Sequence, residues 1–277
     1  MLANLRDVLV PAGQGKYCVG HFNVINLEMA RGVLQAAEEA GAPVILGIEE
    51  KHLPICPIEE FAAFVVPMAR KAQVPVVVHF DRGRTFNCCI EALKLGFTSV
   101  NLDCSRDSLE YNTAKVSEME RTAHAFGATV EAELGYTPAA SEITEGITDD
   151  FFTDPMQTAA YVEKTEVDAL AISVGTAHGE YQVQPRLDYN RIRAITEAVN
   201  VPLVLHGGSG LSDSAVREAI SSGISKIDIF TDINIACFQG AIQAYNDGVH
   251  LQSEVVPYQV HSVKVAAAEK IKLFRNQ

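Results

Sequence analysis

Two stretches of one design carry the residues best placed for chemistry. Val201–Gly210 reads VPLVLHGGSG and Val74–Gly83 reads VPVVVHFDRG; each runs from Val-Pro through an apolar strand to a histidine at its exit. Apolar runs bounded by glycine and proline suit parallel strands covered on both faces, and in such folds ligands bind where the strands end. The other strand exits supply Asn23, Asp81 and Arg82, Asp103, Glu133, His178 and Gly179, Gly207 to Gly210, Asp228 and Thr231. Such a set is too polar for core packing. Two histidines and a carboxylate converging on one mouth suit catalytic zinc with an open coordination position. In HGGSG the glycines let backbone N–H groups approach an anion and Ser209 adds a hydroxyl, so the loop suits phosphate; the alternative is a tight turn.

Eight strands must position these groups. Strands are expected at Tyr17–Asn23, Pro43–Ile48, Val74–His79, Thr98–Asp103, Thr129–Leu134, Ala169–Val174, Val201–Leu205 and Lys226–Ile229, with a helix after each. Asn26 and Ser212 are expected helix N-caps, and His250–Phe274 reads as an amphipathic C-terminal extension. Eight strand–helix units give a single (β/α)8 barrel spanning 1–277 with its catalytic groups at the C-terminal strand ends. A doubly wound sheet is the runner-up, but its first turn should carry GxGxxG and this one carries FNVIN. The polar segment Gly135–Asp150 breaks the rhythm and reads as a lid, mobile without ligand.

Composition narrows the partners. The 277 residues carry a net charge of −13 and are 48% hydrophobic, which disfavours nucleic acid and anionic membranes. Any phosphorylated ligand must therefore be held locally, mainly by backbone N–H groups of Gly207–Ser209 and the Phe230–Asp232 turn. Six cysteines without CxxC spacing, no signal-peptide core and no apolar run near the roughly 20 residues of a membrane span suggest a cytoplasmic protein.

The ordered motifs FNVINLE, HFDRG, VEAELG, VGTAHG, LVLHGGSG and KIDIFTD resemble the class II, metal-dependent ketose-bisphosphate aldolases, over nearly the whole chain. The compact length resembles the tagatose-bisphosphate and short fructose-bisphosphate branch. This resemblance implies aldol cleavage of a phosphorylated sugar to dihydroxyacetone phosphate and an aldehyde, with Zn2+ as cofactor and a homodimer or homotetramer. It implies Asp81 as acid/base, His178, His206 and Glu133 around the metal, and Asn23, Gly179, Gly207, Gly208, Ser209, Asp228 and Thr231 on the substrate. In the family, zinc polarises the ketone and a loop glutamate removes a proton.

The chain departs from that pattern at three places. HFDRG puts Arg82 where the family has a zinc histidine, and arginine has no lone pair to give. Asp228 replaces an asparagine, and in ELGYTPAASE Ser141 stands at the catalytic glutamate's place with Glu142 one residue late. Arg82 and Asp228 are expected to form an ion pair across the mouth. Three function classes follow: an aldolase with a weakened metal site, a metal-free sugar-phosphate-binding or regulatory protein, and a Schiff-base aldolase using Lys226.

Overall fold

Strand and helix alternate through the chain and close into a parallel barrel. The computed structural model describes residues 1–142 and 151–275. The elements are β1 (Leu2–Ala3), α1 (Leu5–Gly15), β2 (Val19–Asn23), α2 (Leu27–Ala40), β3 (Val44–Glu49), α3 (Ile58–Lys71), β4 (Val76–Gly83), α4 (Phe86–Lys94), β5 (Ser99–Leu102), α5 (Leu109–Ala125), β6 (Thr129–Leu134), α6 (Pro155–Thr165), β7 (Ala169–Ile172), α7 (Tyr189–Ala198), β8 (Leu203–Leu205), α8 (Asp213–Ser222), β9 (Ile224–Ile229), α9 (Thr231–Asn246) and α10 (Gln252–Phe274). Strands β2 to β9 pair in chain order, all parallel, and β9 returns to β2. The expected eight-unit barrel is therefore the fold. Asn26 and Ser212 cap α2 and α8 as expected, accepting from the N–H of Met29 and Ala215.

Two differences bear on the site. β4 runs on to Gly83, so Asp81 and Arg82 are strand residues; the β4–β5 register shifts between Phe80 and Gly83, and Arg82 takes a left-handed φ of 49°. The second difference is α1, a helix ahead of the first expected strand that holds Pro11, Gly13 and Gly15 within it. Asn4 and Asp7 form a reciprocal capping box, and Leu5, Val8, Leu9 and Ala12 recur at helical spacing. That stripe packs on Val19, Ile45, Val77, Ala169, Ala171 and Val204 and seals the N-terminal end of the barrel. Burying Leu5 and Leu9 there contributes about 1.5–3 kcal/mol each.

Alternation along the strands sorts the interior into layers. Below lies the apolar layer under α1. Above it come the buried His21, His79, Glu131, His206 and Lys226, and at the mouth Asn23, Asp81, Glu133 and Asp228. Outward residues such as Phe22, Val78, Phe80, Val130 and Ile227 join the helices in the main core. Helix α10 crosses α2 and α9, and Gly32 permits the approach: a Cβ there would lie 2.7 Å from Val263 Cβ. Among the described residues no helix is long and apolar enough to cross a membrane.

Candidate active site

The bulge at the end of β4 turns Arg82 into the barrel mouth, where its side chain is buried. Its Nε and Nη2 donate to Asp103 Oδ2 at 3.3 and 3.2 Å, Nη2 lies 3.9 Å from Glu133 Oε2, and Nη1 sits against His178 Nε2. Burial alone would lower the guanidinium pKa, but Glu133, Asp103, Asp81 and Glu49 outweigh it and raise it further. Burial and then Arg82 hold the His178 pKa well below its usual value, so that ring is neutral. Burial raises the Glu133 carboxyl above its usual range against the pull of Arg82.

A second cluster lies deeper, and it claims Asp228. Lys226 Nζ is fully buried, 2.7 Å from Asp228 Oδ1 and 2.9 Å from Glu131 Oε2. His21 Nδ1 lies 3.1 Å from Asp228 Oδ1, and His206 Nε2 lies 2.9 Å from Glu131 Oε1 and 3.4 Å from Asp228 Oδ2. Burial would raise the Asp228 carboxyl, but Lys226 and the two imidazoles hold it well below its usual range. For His206, burial pulls down while Asp228, Glu131 and Glu133 push up, and the balance is a pKa of about 10. The expected Arg82–Asp228 ion pair is thus not formed. Asp103 and Glu133 neutralise Arg82 from its own side of the mouth, and Lys226 reaches Asp228 first along β9.

Asp81 stands between the clusters. Its Oδ2 accepts from Asn23 Nδ2 at 2.7 Å, and Oδ1 has no hydrogen-bond partner among the described residues. Asp81 lines a cavity of about 220 Å³ together with Asn23, His178, Gly179, Gly207, Ser209, Asp228 and Thr231. Of the expected set, Glu133, His206, Gly208 and Arg82 are not among its lining residues. The cavity also takes in Glu49, Lys51 and Phe230, which sequence reasoning missed. Lys51 follows β3 in a 3-10 turn and pairs with Glu49 at 2.6 Å, bringing a half-exposed cation to the mouth. His79, collected with the strand-end residues, is instead buried in the barrel, bonded through Nδ1 to Ser99 Oγ at 2.8 Å.

The glycine loop differs from expectation in its free donors. Ser209 Oγ accepts from the N–H groups of Phe230 and Asp232 at 3.1 and 3.4 Å, Gly208 donates to the Asp228 carbonyl, and Gly210 donates to Asp232 Oδ2. Several amides assigned to phosphate are therefore spent within the protein, because the serine hydroxyl reaches the α9 N-terminus first. Gly207, with φ 69°, has its backbone packed against the Ala177 carbonyl, a place no side chain fits. The expected lid is pinned over its first part: Thr137 N–H donates to Glu133 Oε1 at 2.9 Å, Ala140 N–H to the His178 carbonyl at 2.7 Å, and His178 N–H to the Pro138 carbonyl at 2.8 Å. Glu142 ends the short turn Ala140–Glu142. Its side chain and residues 143–150 lie outside the described residues, and with them the rest of the expected lid and the carboxyl that stands one residue from the family's catalytic glutamate.

A barrel with a carboxylate, glycine loops and paired histidines at its C-terminal mouth occurs in many enzymes, and comparison narrows the choice. The family model for fructose-bisphosphate aldolase class-II matches residues 3–277. The chain belongs to the class-II fructose-bisphosphate aldolase family. It is 40% identical over 276 residues to the uncharacterized protein YdjI of Escherichia coli K12, covering 99% of this chain and 98% of that one. It is 37% identical over 245 residues to a fructose-bisphosphate aldolase of Geobacillus stearothermophilus, covering 85% of this chain and 83% of that one. The crystal structure of the YdjI aldolase superposes with a TM-score of 0.89 at 38% identity, covering 99% and 97% of the two chains.

The fit of the family's metal can be tested on these residues. Among the described residues the donor atoms that converge within 4.8 Å belong to Asp81, Glu131, His206 and Asp228, a buried group that could hold a metal ion. His178 and Glu133 of the expected set are not in it. Two of the four carboxylate and imidazole donors already face the Lys226 ammonium, and the His178 Nε2 lone pair faces a guanidinium. A zinc ion bound through His178 and His206 does not fit this arrangement unless Arg82 withdraws.

Proposed function

We propose that the chain is an aldehyde-lyase of the class II ketose-bisphosphate aldolase type, cleaving a fructose- or tagatose-bisphosphate-like ketose reversibly to dihydroxyacetone phosphate and an aldehyde. The observation that carries this reading is Asp81: a buried carboxylate held by Asn23, with one oxygen unpartnered, in the wall of a cavity at the barrel mouth. In cleavage the aldehyde-forming hydroxyl gives its proton to Asp81. The carbon–carbon pair moves toward the ketone oxygen to leave an enediolate, and a proton then returns to carbon. We assign that last transfer to Glu142.

The phosphate is read as held by the amides of Gly179, Gly207, Ser209 and Thr231, with Gly208 shaping the loop and Lys51 adding positive charge. Asp228 is read as touching substrate from beside Lys226. Zinc at His178, His206 and Glu133 is read as weak or absent, because Arg82 faces both His178 and Glu133. That contact also favours the second reading, a metal-free sugar-phosphate-binding or regulatory protein. The Schiff-base reading loses support: two carboxylates outweigh burial and raise the Lys226 pKa, so the amine stays protonated behind the cavity wall. Exposed Phe238 and Tyr245 on α9 support a homodimer or homotetramer, and six free cysteines agree with a cytoplasmic setting.

The test is release of dihydroxyacetone phosphate from fructose and tagatose 1,6-bisphosphates. Asp81→Asn should lower kcat by about 10²- to 10⁴-fold while ketose phosphate still binds. Binding without turnover by the unaltered protein would move the assignment to the second reading.

A further inference from the structure

Arg82 and His178 meet in a way that fixes which ring nitrogen carries the proton. Guanidinium offers five N–H donors and no acceptor, so His178 Nε2, facing Arg82 Nη1, accepts. A protonated Nε2 would set donor against donor, so the ring is the neutral tautomer with its proton on Nδ1. No described residue bonds Nδ1, and His178 lines the cavity beside Gly179, Gly207 and Asp81.

Both partners are fixed. Arg82 is buried and clamped through Nε and Nη2 to Asp103, whose other oxygen accepts from Ser105 N–H at 3.0 Å and Ser105 Oγ at 2.6 Å. The left-handed φ of 49° at a non-glycine residue persists only where surrounding contacts over-determine it, and these contacts do. His178 hangs from a two-bond backbone bridge to Pro138 and Ala140. With the Nε2 lone pair held against a cation and the proton on Nδ1, the neutral ring has no free lone pair to give a metal, and Nδ1–H is left as a fixed donor.

We propose that Arg82 is a positioning residue that locks His178 as a neutral Nδ1–H donor to the substrate's oxygen, so that this site binds its ketose phosphate without the family's metal. The proposal rests on reading the cavity as the ketose phosphate site. The donor strengthens as negative charge gathers on that oxygen, with no proton changing owner, as expected of a preorganised electrophile.

The test uses the unaltered protein first. Histidine is labelled with ¹⁵N, and the His178 signal, assigned through His178→Gln, is recorded with excess EDTA and with added zinc. The expected result is an Nδ1-protonated, Nε2-unprotonated ring that zinc does not change. Dihydroxyacetone phosphate affinity by calorimetry should be the same with EDTA and with zinc. Arg82→His should bind zinc and lose the tautomer signature, and Arg82→Ala should bind dihydroxyacetone phosphate about tenfold more weakly, as for one lost hydrogen bond of about 1.4 kcal/mol. An Nε2–H tautomer, or one zinc per chain surviving dialysis with a zinc-dependent shift at Nε2, overturns the proposal. If no bisphosphate is cleaved while tautomer and metal-free binding hold, the aldolase reading fails and this one stands.

Discussion

Replacing Lys226 by methionine keeps the stem that packs inside the barrel and removes the ammonium between Glu131 and Asp228. At 2.9 and 2.7 Å the two attractions are worth about 6 kcal/mol each at an effective dielectric near 20. Most of that offsets the cost of taking three ions out of water, so removing one partner of a buried pair costs about 3–5 kcal/mol. His206 remains against both carboxylates at 2.9 and 3.4 Å, which places the expectation near the lower end, about 3 kcal/mol. With an unfolding entropy of about 0.6 kcal/mol/K for a chain of this length, the melting midpoint should fall by about 5 °C. The assay is urea denaturation followed by circular dichroism at pH 7 and at steps from about pH 4 down to about pH 2. The Asp228 carboxyl is held well below its usual value in the intact protein. Its contribution is therefore full above the unfolded pKa of about 4 and is lost as pH falls through the folded one, so the gap between variant and parent should narrow in acid. Adding Asp228→Asn to Lys226→Met should recover part of the loss. A loss below about 1 kcal/mol, or strict additivity of the two changes, would refute the ion-triad account.

Ser209→Ala leaves the N–H groups of Phe230 and Asp232 without their acceptor, so stability should fall by about 1–2 kcal/mol even without ligand. An unchanged urea midpoint would mean that the hydroxyl does not organise the turn. Burial, then Lys51, pushes the pKa of His52, which lies tilted on Phe230, down to about 4. Its neutral ring contributes stability above the unfolded pKa of about 6.5 that is lost as pH falls from there to about 4, with a slope of up to about 1.4 kcal/mol per pH unit. His52→Phe should flatten that acid limb; parallel limbs in thermal melts at several pH values would contradict the desolvated imidazole.

The barrel was legible because its outward strand faces and helix faces obey different periods, and because caps such as Asn26 and Ser212 mark where one gives way to the other. Strand exits located Asn23, Asp81, His178 and the glycine loop at one cavity. What the sequence hid lies inside the strands. Glu131 and Lys226 sit mid-strand, where a charged residue reads as a solvent face, and only ring closure turns both inward against each other. The partner of Arg82 was likewise unreadable: the register shift in β4 re-aims its side chain toward Asp103. Asp228 and Arg82 invited pairing by charge alone, but the buried lysine two residues before Asp228 had the shorter reach. Lys51 was missed because the 3-10 turn after β3 carries it back over the mouth.

The seating of α10 bears on how the chain is made. Cys18 N–H, just before the first barrel strand, donates to the carbonyl of Phe274 at 2.9 Å, and Gly20 leaves room for the Phe274 ring. That strand also needs β9 along its other edge. On the ribosome β2 emerges early, meets β3 at once, and keeps one edge open until β9 emerges and its lower flank open until α10 does. Late contacts between distant segments slow closure and prolong exposure of an unpaired strand edge. A nascent chain stalled before β9 would therefore display an unclosed barrel with a free strand edge, the form most apt to engage a chaperone or a neighbouring nascent copy.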